Sequence, residues 1–333
     1  MRKSILLLFC LILIRSLHAQ NFHFDQLNYS APFMNPAQAG LIHEKYRVNL
    51  LSRLQYMAVS PYSTHYLSFD ARIKSNYNQF LGGGFIVCTD RAGDGKYSST
   101  LLQMPFSFTT KFDKEKISYL TFGGTAGVYI NRTDPNKYYY ENQYNGTSFD
   151  QNLPNQENVV NNKFTYKVFG AGANYVYLLS DASSVSAGTS FRYFTTPKVL
   201  ILTAPSQYSM QVNANVSYYK MITESSRLSA LMYWSKQQSA HEFQTAVTYE
   251  YKTLDENHDV RYSVGIRNRW KDAFMVNAGF KKDELSFVLS YSMMYSSYRH
   301  ATQFSGAYEL GVQYLLKSKR DNTPEVRKRF QFM

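Results

Sequence analysis

Beyond its first twenty residues the chain has one cysteine, Cys88. A single thiol cannot close an internal disulfide, so the class of small disulfide-held domains is excluded. No histidine or second cysteine stands near it at metal-ligand spacing, and we read Cys88 as a small, mostly buried side chain. Long apolar runs are missing after residue 19, and mean hydropathy is only −0.38. Membrane-spanning helices, which need about 20 apolar residues each, are therefore excluded. Helical periodicity is absent as well, since apolar residues do not recur at three-to-four spacing over useful lengths. None of His23, His43, His65, His241, His258 and His300 shows a recognisable pairing with serine. A hydrolase, or any enzyme, is not expected from such a set. Gly82–84 is followed by no lysine and helix, which removes a phosphate loop. Asp90, Asp94 and Gly95 lack the further oxygen ligands of a calcium loop. We expect no cofactor and no metal centre.

What is present begins at the N-terminus. Arg2 and Lys3 precede an apolar run from Ile5 to Ile14, and Ala19 offers a small residue before Gln20. That is the pattern of a cleaved signal peptide, residues 1–19. Cys10 lies inside the run behind bulky Phe9, which argues against lipid attachment there. Processing removes Arg2, Lys3 and Arg15 with no acid, so a formal charge of +12 falls to +9. The cations are scattered, and a secretory signal argues against nucleic acid as a partner. A basic lumen or attraction to anionic envelope polymers suits the charge better.

Aromatic residues make up 16% of the chain, with 29 Tyr and 23 Phe. A transmembrane β-barrel uses such rings as girdles at both water–lipid interfaces. Alternation with a period of two dominates the sequence, as a strand with two unlike faces requires. Tyr208, Met210, Val212, Ala214, Val216 and Tyr218 alternate with Ser209, Gln211, Asn213, Asn215 and Ser217. Val260, Tyr262, Val264 and Ile266 likewise oppose Arg261, Ser263, Gly265 and Arg267. The pattern predicts an all-β fold, a transmembrane antiparallel barrel of about fourteen strands over residues 43–317. Expected strands are 43–58, 62–74, 80–90, 97–112, 115–131, 163–179, 184–194, 206–220, 226–236, 240–251, 257–268, 271–281, 283–295 and 303–317. An even count puts both termini on one side, the periplasm. The short polar links then fall on that side and the longest connection, 132–162, on the outside. A soluble β-sandwich is the other reading of such alternation.

Two segments flank the barrel. Residues 20–42, with Asn35-Pro36-Ala37 and Gly40, read as a lead-in or an inward plug, because proline breaks a strand there. Asn35-Pro36-Ala37 either caps the turn into the first strand or positions the segment in the lumen or against a partner. The basic tail 318–333 is either a solvated end or a periplasmic docking tail.

The start Gln20, Phe22, Phe24, Asp25, Gln26, Tyr29, followed by Asn35-Pro36-Ala37-Gln38-Ala39-Gly40, resembles the opening of the PorP/SprF family. Tyr46-Arg47-Val48, Arg53 to Gln55, Ser68-Phe69-Asp70, Gly82 to Gly84, Asp90-Arg91-Ala92-Gly93 and Tyr308 to Tyr314 are similar to it in the same order. Tyr56 stands where the family often has tryptophan. The resemblance implies an outer-membrane protein of the type IX secretion system of Bacteroidota. It implies a part in secretion, in cell-surface attachment of cargo and in gliding motility. Its partners would be other secretion components, the C-terminal signal domains of cargo and outer-membrane lipid. The motif it singles out, structural or partner-binding, is Asn35, Pro36, Ala37, Gly40, Arg53, Asp90 and Gly93. A diffusion channel or small-molecule transporter on the same barrel is the alternative function.

Overall fold

The computed structural model of the chain describes residues 22–316, apart from 43, 58–60, 76–78, 94–96, 113–117, 135–137, 151, 155–162, 196–197, 202–203, 208, 254–257, 301 and 303. The expected signal peptide, the tail 318–333, and Asp94 and Gly95 lie outside the described residues.

Alternating side chains and β-branched or aromatic residues give long strands. They are β1 (Tyr46–Gln55), β2 (Tyr62–Ser75), β3 (Gln79–Ala92), β4 (Tyr97–Lys111), β5 (Ser118–Arg132), β6 (Lys163–Ser180) and β7 (Ser183–Arg192). After a small hairpin, β8 (Lys198–Ile201) with β9 (Ala204–Gln207), come β10 (Gln211–Thr223), β11 (Ser226–Gln237), β12 (Ala240–Lys252) and β13 (Val260–Arg269). β14 (Ala273–Lys282), β15 (Leu285–Met294) and β16 (Ser305–Leu316) complete the set. Fourteen strands, all but β8 and β9, pair antiparallel with their neighbours, and β1 closes on β16 from Tyr46↔Leu316 to Gln55↔Ala307. Closure leaves the barrel no unpaired edge, the condition for spanning lipid with strands. All fourteen correspond to the strands expected from the sequence.

Several boundaries move by up to three residues, and one moves by five. The expected strand 206–220 starts at Gln211, while 204–207 pair with 198–201 in the hairpin. The neighbours explain it. Gln211 pairs with Arg192, the last residue of β7, and with Gln237, the last of β11. Positive φ angles at Tyr193 and Gln238 then turn both neighbours away, so the barrel ladder of β10 begins at Gln211. Tyr56, also at positive φ, ends β1 in the same manner.

The two rims differ. β1 begins and β16 ends at one of them, the terminal rim, where connections such as 181–182, 224–225 and 283–284 are short. Connections 133–162, 193–210 and 295–304 lie at the opposite, loop rim. The outer wall is apolar: Met104 is 63% exposed, Val264 60% and Leu289 56%. Aromatic pairs sit on it towards both rims, Phe243 stacked on Trp270 at the loop rim and Tyr262 against Phe280 at the terminal rim. The inner wall is polar and buried, with Asn213, Asn215, Gln244, Arg267 and Glu309 all turned inward. Cys88 is fully buried, as expected.

Sequence reading places both ends of the chain at one rim, but the first described residue departs from that. Phe22 and His23 share a pocket with Gln237 and Ala240, which end β11 and begin β12 at the loop rim. From there residues 22–42 run down the inside of the barrel to the terminal rim, where Arg72 donates to Ile42 O. The path is not a straight descent: Tyr29 reaches the cavity lined by Arg227 and Glu250, Phe33 and Met34 return to the loop-rim pocket of Phe22, and residues 36–42 then lead to the terminal rim.

Candidate functional site

Residues 22–42 carry three short helical turns, Leu27–Ser30, Ala31–Met34 and Pro36–Gln38. Pro32 and Pro36 stand at first or second helical positions, where a missing N–H costs nothing. Asn35 is extended between two turns, and its Oδ1 accepts from Ala37 N at 3.0 Å. This is an N-cap, with the side chain replacing an absent helical partner. The same amide also anchors the segment to the wall. Asn35 Nδ2 donates to Ala173 O at 3.0 Å and Thr189 O at 3.3 Å, on β6 and β7. Asn35 thus caps the Pro36–Gln38 turn and at the same time anchors it to the lumenal wall.

The wall is bare where the segment leans on it. Ala37 and Ala39 are fully buried. A Cβ on Gly123 would stand 2.5 Å from Ala37 Cα, and one on Gly82 would collide with Ala39 O. Gly40 has φ +67°, and its own Cβ would lie 2.6 Å from Gly82 Cα, so glycine is required on both counts. Gly40 N donates to Asp70 Oδ2 at 2.8 Å. Arg47 grips the same carboxylate with Nε at 2.9 Å and Nη2 at 2.8 Å, and donates to Gln38 O at 3.1 Å. Such two-pronged charge-assisted bonding is strong and geometrically specific.

Nearer the loop rim the segment is held by charge. Arg53 Nη1 lies 2.5 Å from Asp25 Oδ1 and 3.5 Å from Glu309 Oε2. Arg269 Nη2 donates to Asp25 Oδ1 at 2.6 Å, and its Nη1 to Asp272 Oδ2 at 2.9 Å. Glu309 accepts from the backbone N–H groups of Asp25 and Gln26 at 2.8 and 2.6 Å. His23 Nδ1 stands 2.6 Å from Glu242 Oε2. Beside these ionic contacts, in the same loop-rim pocket, lies an aromatic cluster. Phe24 meets Phe33 and Tyr66 edge-on at 5.7 and 5.4 Å, and Phe22 lies 5.7 Å from Tyr129. Arg192 covers the Phe33 ring at 4.0 Å, and Ser190 Oγ donates to Met34 O at 2.6 Å.

The structure thus brings Asn35, Pro36, Ala37, Gly40 and Arg53 together along one lumenal segment. Asp90 and Gly93 are placed elsewhere. Asp90 accepts from Thr64 Oγ1 at 2.6 Å within the wall, and Gly93, at φ +63°, turns the chain after β3. Neither bonds to residues 22–42 among the described residues. Sequence reading did not single out Asp25, Arg47, Asp70, Glu309 or Arg269 as site residues. Their pairing spans up to 284 positions, and only strand register brings them together.

One histidine pairing was also missed. Ser52 Oγ and His65 Nδ1 are 3.1 Å apart, as direct cross-strand partners on the outer wall. Among the described residues no carboxylate or amide hydrogen-bonds this ring, so the pair lacks the orienting third member of a hydrolytic site. Among the described residues, no group of histidine, cysteine and acidic side chains is placed to hold a metal ion.

Solved structures resemble the barrel at low identity. The CymD monoaromatic hydrocarbon channel is 11% identical, with a TM-score of 0.48 over 87% of this chain and 93% of that one. A Pseudomonas aeruginosa FadL homologue is 12% identical, with a TM-score of 0.47 over 86% and 93%. The P. putida toluene transporter TodX is 10% identical, with a TM-score of 0.48 over 86% and 94%. No curated protein matches the chain. The family described as type IX secretion system membrane protein PorP/SprF matches residues 16–314, from before the lumenal segment almost to the end of β16. The closed barrel and the ordered motifs along it thus fall within one family match, and the chain belongs to the PorP/SprF family of type IX secretion system membrane proteins.

Proposed function

We propose that the protein is a non-enzymatic outer-membrane component of the type IX secretion system, aiding secretion or surface attachment of cargo and, through it, gliding motility. The observation that carries the reading is the family match over residues 16–314. The barrel supports it, with an apolar outer wall and a lumen occupied by the chain's own residues 22–42. An occupied lumen speaks against the diffusion channel. It favours a barrel that acts through its rims, where other secretion components and the C-terminal signal domains of cargo would dock.

In this reading residues 1–19 are a removed signal peptide, the loop rim faces outward and the terminal rim faces the periplasm with the tail 318–333. Phe22, the first described residue, then lies at the outward mouth. Gln20 precedes Phe22 by two residues, and an extended chain gains at most about 3.6 Å per residue.

Deleting the gene and assaying secretion and surface display of all signal-bearing cargo tests the function. Loss of display, restored by the wild-type gene, is expected. Normal display in a strain without a paralogue contradicts it. A short epitope placed after Gln20 tests the sidedness: antibody on intact cells should bind it, and binding only after permeabilisation contradicts the orientation.

A further inference from the structure

The lumenal segment does not fill the barrel evenly. Towards the terminal rim it leaves two adjoining cavities, one of about 190 Å³ against β6, β7 and β10 to β13 and one of about 180 Å³ against β10 to β15. Arg267 lines both. Its side chain is 3% exposed, and neither Nε nor Nη1 has a hydrogen-bond partner. Two further polar atoms in the smaller cavity are unsatisfied, Gln26 Nε2 and Asn277 Oδ1, on residues 1% and 7% exposed. A buried guanidinium without a partner is costly to hold, and a carboxylate is the group its planar fork fits best.

The carboxylates around Arg267 bond elsewhere. Asp25 Oδ1 is held by Arg53 and Arg269, while its Oδ2 accepts no hydrogen bond, and Glu309 is held by Arg53 and by backbone N–H groups; neither acid bonds to Arg267. Glu250 lines the cavity and is shared by Arg227 at 3.3 Å and Arg261 at 2.9 Å. Lys252 and Lys281 stand near Asp259 at the same rim, at 3.8 and 3.6 Å. Arg227 and Arg267 line the cavity with Glu250, and Lys252, Arg261 and Lys281 stand with Asp259 at the rim beyond it, an excess of positive charge at this mouth of the lumen.

We propose that this vestibule is an anion site that takes a carboxylate group entering from the terminal rim, with Arg267 as its bidentate partner and Gln26 as a second donor. A cavity of about 150 Å³ accommodates a benzene-sized ligand, so the space suits a small carboxylate or the terminal residue of a peptide. The site stands on the lumen's geometry. Only the identification of the rim as periplasmic rests on the functional reading above.

The test is titration calorimetry on the full processed chain in detergent micelles. The probes are glutarate, acetyl-trialanine with a free carboxylate, and the same peptide as its C-terminal amide. Saturable one-to-one binding of glutarate or of the free-acid peptide is expected, weakened at least about tenfold in Arg267→Gln, the loss of one charged hydrogen-bonding partner. Arg267→Lys should bind with intermediate affinity. Asn277→Asp serves as a second variant that keeps the fold, read from heat-modifiable gel mobility, because it supplies the missing carboxylate from within the wall; it too should lose binding about tenfold or more. Competition by the free-acid peptide but not the amide identifies a peptide end as a source of the anion, and binding of glutarate alone identifies a small molecule. No saturable binding of glutarate or the free-acid peptide to wild type, equal binding of the amide, or equal affinity in Arg267→Gln or Asn277→Asp overturns the site. Since secretion is assayed in cells, a failure here leaves that reading standing.

Discussion

Gly123 of strand β5 lies in backbone contact with Ala37, so close that a methyl group on the glycine would stand 2.5 Å from Ala37 Cα. The wall is without side chains at this point because the lumenal segment occupies their space. Gly123→Val should displace the Pro36–Gln38 turn and cost about 1–3 kcal/mol, the range for overpacking a filled interior. Limited proteolysis in micelles checks this: thermolysin should cut within residues 22–42 of the variant and leave the wild-type segment intact.

Arg53 tests the ionic anchor. Its replacement by methionine leaves Asp25 with Arg269 alone and Glu309 with only backbone donors. Removing one member of a buried charge network costs about 3–5 kcal/mol. Asp25→Leu combined with Arg53→Met should be less destabilised than the two single changes sum to, because the Asp25 charge that lost Arg53 is gone while Glu309 is left as in the single variant. Denaturant unfolding followed by gel mobility supplies the four corners of that cycle, and strict additivity would show that the pair is not coupled.

Much of this architecture is legible in the sequence, and the reasons are particular. Residues such as Tyr262, Val264 and Ile266 alternate with Arg261, Ser263 and Arg267, and the period of two survives because one side meets lipid and the other the lumen. Strand number follows from such segments. What lies between strands is less legible: residues 206–207 look like the start of β10, and only the ends of β7 and β11 show that they cannot be. Asp70 and Glu309 lie in short motifs as Asn35 and Gly40 do, yet nothing in those motifs says that they bond to residues 22–42 until register brings them beside the segment. The path of residues 22–42 towards the loop rim leaves no local trace either, since it depends on partners scattered around the barrel.

The outer wall makes its own prediction. Val264, in the middle of β13 and 60% exposed, should tolerate arginine poorly. The expected cost is about 2–4 kcal/mol near the bilayer midplane and about 0–1 at its edges. Glu224→Arg, in the turn between β10 and β11, should fall in the lower range. Unfolding in lipid vesicles measures both, and equal costs would contradict a lipid-facing wall.

At the terminal rim two turns are tied by Asp283. Its Oδ1 accepts from Asp259 N and its Oδ2 faces His258 Nδ1, both at 3.0 Å. The Asp259 N–H, followed by His258 and Lys282, holds the Asp283 carboxyl below its ordinary value. A carboxylate depressed in the folded state contributes stability above its unfolded pKa of about 3.9 and loses it as pH falls through the lower folded value. Protection of the Asp259 amide from hydrogen exchange should therefore persist from neutrality to about pH 4 and fall below it. Asp283→Asn should reduce that protection at neutral pH.

Planar-bilayer recording of the purified, processed chain bears most directly on a barrel filled by its own N-terminal segment. No steady conductance is expected from the full chain, and deletion of residues 20–42 should open a stable ion-conducting state. A steady open pore in the full chain, unchanged by that deletion, would contradict the occupied lumen and return the channel reading to the front.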